Sequence, residues 1–365
     1  MKIREITVYL ESVAHPSLQE DYDNAGLITG AADWDCTGAI VCLDATEAVV
    51  AEAIEKKCNL VIAHHPIIFR GLKKINGKNY VEQTIIAAIK NDIAIYAIHT
   101  NLDNVKKGVN GMIAQQLGLV NCRMLAPKAG LLKKLVVYVP VKQADLVRNA
   151  IFEAGAGQIG EYSACSFNTA GTGTFTPGAG THPFAGTVGQ PRQENEIKIE
   201  TIFPGWLADQ VIGAIKAVHP YEAPAFDLFP LDNGFSGIGA GLVGELPGPM
   251  EEIAFLAHVQ KLFMVPVIRH SPLIGKAIQT VAVCGGAGSF LISNAIEAGA
   301  DCYVTADVKY HEFFDANGQL VIADIGHYES EQFTITLLAS LLREKFPTFA
   351  ALKTGVNTNP VNYFL

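Results

Sequence analysis

Long apolar runs are missing from this chain: nowhere do eighteen or more uncharged apolar residues follow one another, so no ordinary membrane span is expected. The opening stretch MKIREITVYLES places Glu5 and Glu11 where the apolar centre of a secretory signal would lie, which argues for an unsecreted, cytoplasmic protein. Cysteine pairs are missing as well. The seven cysteines (36, 42, 58, 122, 165, 284 and 302) are odd in number, scattered and without a C-x-x-C pair, as expected of reduced thiols used as small core residues. Positive charge is in deficit: 27 Lys and Arg against 36 Asp and Glu give a net charge of −9, so no global basic field draws in nucleic acid. No G-x-S-x-G elbow occurs and no cysteine sits in an electropositive motif, so covalent catalysis has no support. The glycine-rich stretch Cys284 to Ser289 (CGGAGS) matches neither nucleotide-phosphate motif and reads as a packing turn.

What is present is a chain of 365 residues, 49% hydrophobic and 17% charged, too apolar for disorder and too long for one ordinary domain. Apolar runs at 38–43, 60–63 and 93–98 read as strands, separated by helical patterns at 46–57, 80–90 and 108–117. The rhythm returns at 280–284, 302–305 and 320–325, with helices at 289–298, around 308–316 and at 328–345. Such alternation predicts a parallel sheet with helices on its faces. The middle differs. Strands at 134–139, 157–163, 196–203 and 225–229 and helices at 142–154 and 206–218 give the order β-α-β-β-α-β, a ferredoxin-like arrangement, with a Gly/Thr/Pro-rich loop at 169–189. The expected architecture is therefore a discontinuous parallel-sheet α/β domain, 1–126 plus 234–365, carrying a ferredoxin-like insert at 128–232. Both junctions are marked by Pro or Gly: Pro127 with Gly130, and Asp232-Asn233-Gly234.

Ten histidines are the notable part of the composition. Three apolar runs end in potential metal ligands: LVIA into His64-His65-Pro66, IAIYAI into His99-Thr100-Asn101-Leu102-Asp103, and LVIADI into Gly326-His327-Tyr328-Glu329-Ser330-Glu331. Open parallel sheets place their sites at these carboxyl ends, so the clusters can converge. Neighbouring side chains on a strand point to opposite faces, so His64 and His65 serve one centre only if the strand has ended, which Pro66 favours. His327 and Glu331, four apart in a first helical turn, share one face, and Gly326 permits a tight entry. A single strand-end histidine is usually a polar group bonded to backbone; three such clusters at equivalent ends argue for metal. Imidazole and carboxylate without thiolate suit zinc, iron or manganese, and three histidines with two carboxylates suit two divalent ions sharing a bridging carboxylate.

In order along the chain, Asp23-Asn24-Ala25-Gly26-Leu27, Cys42-Leu43-Asp44-Ala45-Thr46, His64-His65-Pro66, His99 to Asp103, Gly171-Thr172-Gly173-Thr174-Phe175, His219-Pro220-Tyr221-Glu222-Ala223-Pro224, Thr305 to His311 and Gly326 to Glu331 resemble the motifs of the Nif-three-like dinuclear-metal hexameric family, also described as GTP cyclohydrolase I type 2 homologues. The resemblance spans nearly the whole chain. It implies His64, His65, Asp103, His327 and Glu331 as metal ligands, a toroidal homohexamer with the metal sites facing an internal cavity, and a middle domain similar to trimeric PII/CutA-like modules.

Other polar residues near these motifs are candidates for orienting ligands or handling protons. His99 could hold a ligand or act as general base, or simply bond to backbone. Asp307 and His311 repeat an i,i+4 pairing, with Asp307 alternatively an N-cap. Asp44 could cap the helix starting at Thr46 or bond a metal histidine, and Asn24 could shape a turn. Two function classes follow. One is a metal-dependent hydrolase acting on a nucleotide-like or other small substrate, with His99 or Glu331 handling protons; the cyclohydrolase reaction enters by resemblance alone. The other is a non-catalytic metal-binding or regulatory assembly whose insert senses a ligand or docks a partner. Nucleic acid is the least supported partner, because −9 per chain accumulates in a hexamer.

Overall fold

The computed structural model describes residues 1–364, which divide into two compact units, Met1–Pro127 with Gly237–Leu365, and Lys128–Ser236. The first unit contains two mixed sheets. In one, the order is Gly26–Thr29, Ala94–Ala97, Leu60–His65, Ala39–Asp44, Ala351–Lys353; the last four run parallel and the first is antiparallel to its neighbour. In the other, the order is Arg269–His270, Val321–Asp324, Cys302–Ala306, Ile278–Ala287, Gly239–Met250, Val120–Pro127, and only the Ile278, Cys302 and Val321 strands pair in parallel.

The α/β class expected for this unit is found, with the parallel sheet replaced by two mixed sheets, each with a parallel centre and at least one antiparallel edge. The antiparallel strands were hidden for a physical reason: Gly239–Met250 ends in GELPGPM, a composition that suggests turn rather than ladder, and Val120–Pro127 is half exposed. The central parallel strands are buried on both faces and therefore read as continuous apolar runs, which is why they were visible. One apolar cluster joins the two sheets. It combines Val41, Ile62 and Tyr96 of the first with Val281, Val304 and Ala323 of the second, through Ile6 and Leu10 of the helix Ile3–Val13, Phe255 and Val259 of Glu252–Phe263, and Leu338 and Leu342 of Thr334–Lys345. Burying such side chains contributes roughly 1.5–3 kcal/mol each before entropy is counted. The long helix expected from Tyr328 is two pieces, His327–Glu331 and Thr334–Lys345, so the turn carrying His327 and Glu331 is set apart from the core helix. Around 308–316 the chain forms a 3₁₀ turn, Tyr310–Ala316.

The second unit holds a four-stranded antiparallel sheet in the order Phe167–Phe175, Arg192–Pro204, Leu132–Pro140, Phe226–Leu231. Helices Ala144–Glu153 and Ala208–Val218 bury Val147, Ile151, Val211 and Ile215 against Leu135, Val137, Val139 and Ile199 of the sheet. The strand expected at 157–163 is not formed; an isolated Ile159–Tyr162 bridge stands there, because Gly155, Gly157 and Gly160 all take positive φ. The strand that pairs is Phe167–Phe175, largely exposed, so hydrophobic alternation could not reveal it. It occupies the first part of what was expected to be a loop at 169–189.

Candidate metal centre

The carboxyl ends of the parallel strands in both sheets of the first unit deliver their polar residues to one place. Ala39–Asp44 ends in Asp44, Leu60–His65 in His64 and His65, and the short helix Thr100–Asp103 follows Ala94–Ala97. From the other sheet, Asp307 follows Cys302–Ala306, and the turn His327–Glu331 follows Val321–Asp324. Gly326 enters that turn with φ of 89°, and a Cβ there would strike the Glu329 carboxylate.

Glu331 is the hub. Its Oε2 lies 2.9 Å from His65 Nε2, 3.2 Å from His327 Nε2 and 3.9 Å from His64 Nε2, with the carboxylate buried. The ligand atoms of His65, His327 and Glu331 fall within one sphere of 4.8 Å, as do those of His64, Asp103 and Glu331. The strand does not end before the histidines, since His65 still pairs in register with Asp44. The adjacent rings nonetheless stay 4.9 Å apart and share a group with His99, while His65 also joins His327 and Glu331 and His64 joins Asp103 and Glu331, so the groups overlap at Glu331 and at the histidine pair.

The outward nitrogens are all fixed. Nδ1 of His64 donates to the Ile98 carbonyl at 2.8 Å, Nδ1 of His65 to Asp44 Oδ1 at 2.8 Å, and Nδ1 of His327 to Asp307 Oδ2 at 2.7 Å. Each bond sets the tautomer and turns Nε2 inward, as in a ligand histidine oriented from behind. Two inward atoms have no hydrogen-bond partner among the described residues although both are buried: His64 Nε2 and Asp103 Oδ1, which face each other at 3.5 Å. Two acceptors aimed at one another in a buried site repel unless a proton or a cation lies between them, and this donor set fits a divalent metal.

The electrostatics agree. Burial pushes the Asp103 carboxyl well above its ordinary range, and the Glu331 charge adds to this. Burial also opposes ionisation of Glu331, but the contacts from His327, His64 and His65 outweigh it and hold its carboxyl well below the usual range. Burial lowers His64. For His65 and His327 burial would do the same, yet the Asp44, Asp307 and Glu331 carboxylates win and raise the rings to about 10 and about 11. The site attracts positive charge, as protons or as metal.

Of the candidate partners, Asp44 and Asp307 sit behind His65 and His327, not at helix caps: Thr46 caps its own helix by accepting from Val49 N, and Lys309 precedes the 3₁₀ turn. His99 lies beside the centre, its ring 5.3 Å from His64 and 5.4 Å from His65, with Nδ1 bonded to Asp23 Oδ1 at 2.8 Å. Asn24 stays outside, where its amide donates to the Ile68 carbonyl. His311 also stays outside, exposed and stacked on Phe314. The sequence pattern did not single out Asp23, whose buried carboxylate also accepts from Thr100, because it lies in a loop beside Asn24. The pattern also passed over Asn110, which ties the Asp103 carbonyl to Gly285 N, and gave no signal for Thr358, which bonds Asp44.

The centre opens into a cleft of about 1110 Å³ walled by Phe69, Phe290, Tyr328 and Tyr363, with Arg269 on its rim. In the second unit a smaller cavity of about 590 Å³ gathers the Gly171–Phe175 stretch and Tyr221, whose hydroxyl donates to the buried Glu196 at 2.9 Å.

Comparison with known proteins gives a concordant result. The family model for Duf34/NIF3 (NGG1p interacting factor 3) matches residues 1–360. The chain is 42% identical over 352 residues to the GTP cyclohydrolase 1 type 2 homolog of Halalkalibacterium halodurans, covering 95% of each, and 37% identical over 365 residues to that of Bacillus subtilis, covering 99% and 98%. Among solved structures, it is similar to a Bacillus cereus protein related to NIF3, with a TM-score of 0.88 at 39% identity over 100% of this chain and 99% of that one. A Staphylococcus aureus protein follows at TM-score 0.79 and 29% identity, with the same coverage.

Proposed function

Since the chain belongs to the Duf34/NIF3 family, we propose that it is a dinuclear divalent-metal protein that works as a metal-dependent hydrolase on a small, nucleotide-like substrate. The observation that carries the reading is Glu331, whose single carboxylate serves both ligand groups. His65, His327 and Glu331 would hold one ion, His64, Asp103 and Glu331 the other. Zinc, iron and manganese all suit this donor set. Bound there, two such ions supply Lewis acidity toward a substrate oxygen and lower the pKa of water. The chain's own residues do the rest. Asp44 and Asp307 hold the ligand rings in place, the aromatic walls of the cleft exclude water and bind a flat substrate, and His99, oriented by Asp23, presents its Nε2 to the cleft to take or give a proton.

The family resemblance extends the proposal to a homohexamer and to a PII/CutA-like insert; the strand-helix-strand-strand-helix-strand order of the second unit supports a ferredoxin-like reading of it. Seven free thiols support a reducing, cytoplasmic setting. No helix among the described residues is long and apolar enough to cross a membrane.

The test is elemental analysis of the purified protein together with a panel of nucleotide, phosphoester and amide substrates. Two equivalents of metal per chain and metal-dependent turnover are expected, both lost in His64→Ala and Glu331→Ala. Variants that stay folded and lose metal without losing hydrolysis overturn the reading, and so does a metal-replete protein inert across the panel.

A further inference from the structure

Residues 354–364 have no regular secondary structure, yet 354–359 are tied down by hydrogen bonds. The preceding strand, Ala351–Lys353, pairs in parallel with Ala39–Asp44, and Thr354 N donates to the Val41 carbonyl at 2.9 Å, so the chain leaves the sheet heading toward the carboxyl end of that strand. Thr354 Oγ1 and Gly355 N then donate to the two oxygens of Glu52, at 2.5 and 2.8 Å. Beyond this anchor, Thr358 Oγ1 donates to Asp44 Oδ2 at 2.8 Å and Asn359 Nδ2 to Glu329 Oε1 at 3.0 Å. Asn359, Pro360, Val361 and Tyr363 line the cleft.

The two oxygens of Asp44 therefore have separate tasks. Oδ1 accepts from His65 Nδ1, and Oδ2 accepts from Thr358. A carboxylate held at one oxygen swings in the broad torsional well about its Cβ–Cγ bond, whereas one held at both is fixed in plane. The plane of Asp44 sets the line along which it accepts the His65 proton, and so the direction in which His65 Nε2 points.

We propose that Thr358 is a positioning residue of the metal centre, and that the C-terminal strap is a built part of the site: its hydroxyl locks Asp44 so that His65 is aimed at the ion shared with His327 and Glu331. The inference rests on the dinuclear reading above and adds to it a residue reached from the far end of the chain. Its effect is selective, because His64 takes its orientation from the Ile98 carbonyl and His327 from Asp307.

The experiment is titration of metal-stripped full-length protein with Co²⁺, followed by visible absorption, for the native chain, Thr358→Val and Thr358→Ser. Valine keeps the shape and removes the donor; serine keeps the donor. In Thr358→Val one of two binding steps weakens about 3- to 10-fold, somewhat less than for loss of a group bonded directly to a ligand, and its absorption band shifts. The other step is unchanged, and Thr358→Ser restores the native titration. Thr358→Ala replaces the valine variant should that one not fold. Unchanged steps and spectra in a folded valine variant overturn the inference, as does a serine variant that behaves like valine. A native chain that binds no Co²⁺ overturns the dinuclear reading itself, an outcome distinct from the other two.

Discussion

Glu331 Oε2 and His65 Nε2 lie 2.9 Å apart although 266 positions separate them in the chain. The two residues come from different sheets, one from the end of Leu60–His65 and the other from the turn after Val321–Asp324. The apolar cluster that joins the sheets is thus also what sets this distance. Core packing and metal chemistry are coupled, because the centre can form only when both halves of the split unit are in place.

Glu331→Gln separates charge from shape at this contact. Glutamine fills the same buried volume but replaces one oxygen with an NH₂ donor and removes one of the charges that, with Asp44 and Asp307, raise His65 and His327. Both ligand groups lose their common member, so affinity for both ions falls by roughly 100-fold or more, beyond what loss of an outer partner costs. Calorimetric titration of stripped protein checks this. Loss of only one of two binding steps would show that the carboxylate is not shared.

Asp307→Asn isolates the support behind one histidine. Asp307 takes φ of 55°, a left-handed conformation that asparagine tolerates well, so the backbone is not perturbed. The amide still offers an oxygen to His327 Nδ1 but no charge. Metal affinity falls roughly 10- to 100-fold at one step, with little change in thermal unfolding of the stripped protein. A variant that binds both ions as tightly as the native chain would leave Asp307 without a role at the centre.

The clusters of the candidate centre were legible because they follow buried parallel strands, whose continuous apolar runs mark both strand and strand end in the sequence. His64, His65, Asp103, His327 and Glu331 stand within a few residues of such runs. Asp23 and Thr358 were not legible in that way. They lie on loops with no periodicity, and only folding brings them against His99 and Asp44. Mixed strand direction was hidden for a similar reason, since direction is set by which edges pair and not by the pattern along one strand. The strand Phe167–Phe175 shows the limit most clearly: nine residues form a full ladder with Arg192–Pro204 while nearly all remain exposed.

Gly286→Ala tests how tightly the second sheet grips Glu331. Gly286 has φ of 62°, and a Cβ built on it would lie 2.5 Å from Glu331 Oε1 and 3.3 Å from the His327 ring. Backbone strain contributes roughly 1–3 kcal/mol of destabilisation, and the carboxylate must move as well. Lower unfolding stability and weaker binding at both metal steps are expected together. Lowered stability with native metal affinity would mean that Glu331 is free to shift without consequence.

Asp23 gives the pH dependence. Burial would raise its carboxyl, but the hydrogen bonds from His99 and Thr100 and the nearby His99 charge prevail and bring it to about 2, against an ordinary 3.8. Because the folded-state value is the lower one, the folded protein resists protonation here. The contribution to stability is complete above about pH 4 and is lost as the pH falls toward 2. For this buried carboxylate the shift amounts to at most about 2 kcal/mol. In Asp23→Asn nothing titrates at this position, so stability of the stripped protein, followed by urea unfolding from pH 5 downward, declines less steeply than in the native chain. Parallel curves for the two proteins would show that the Asp23–His99 pair contributes nothing to the acid limb.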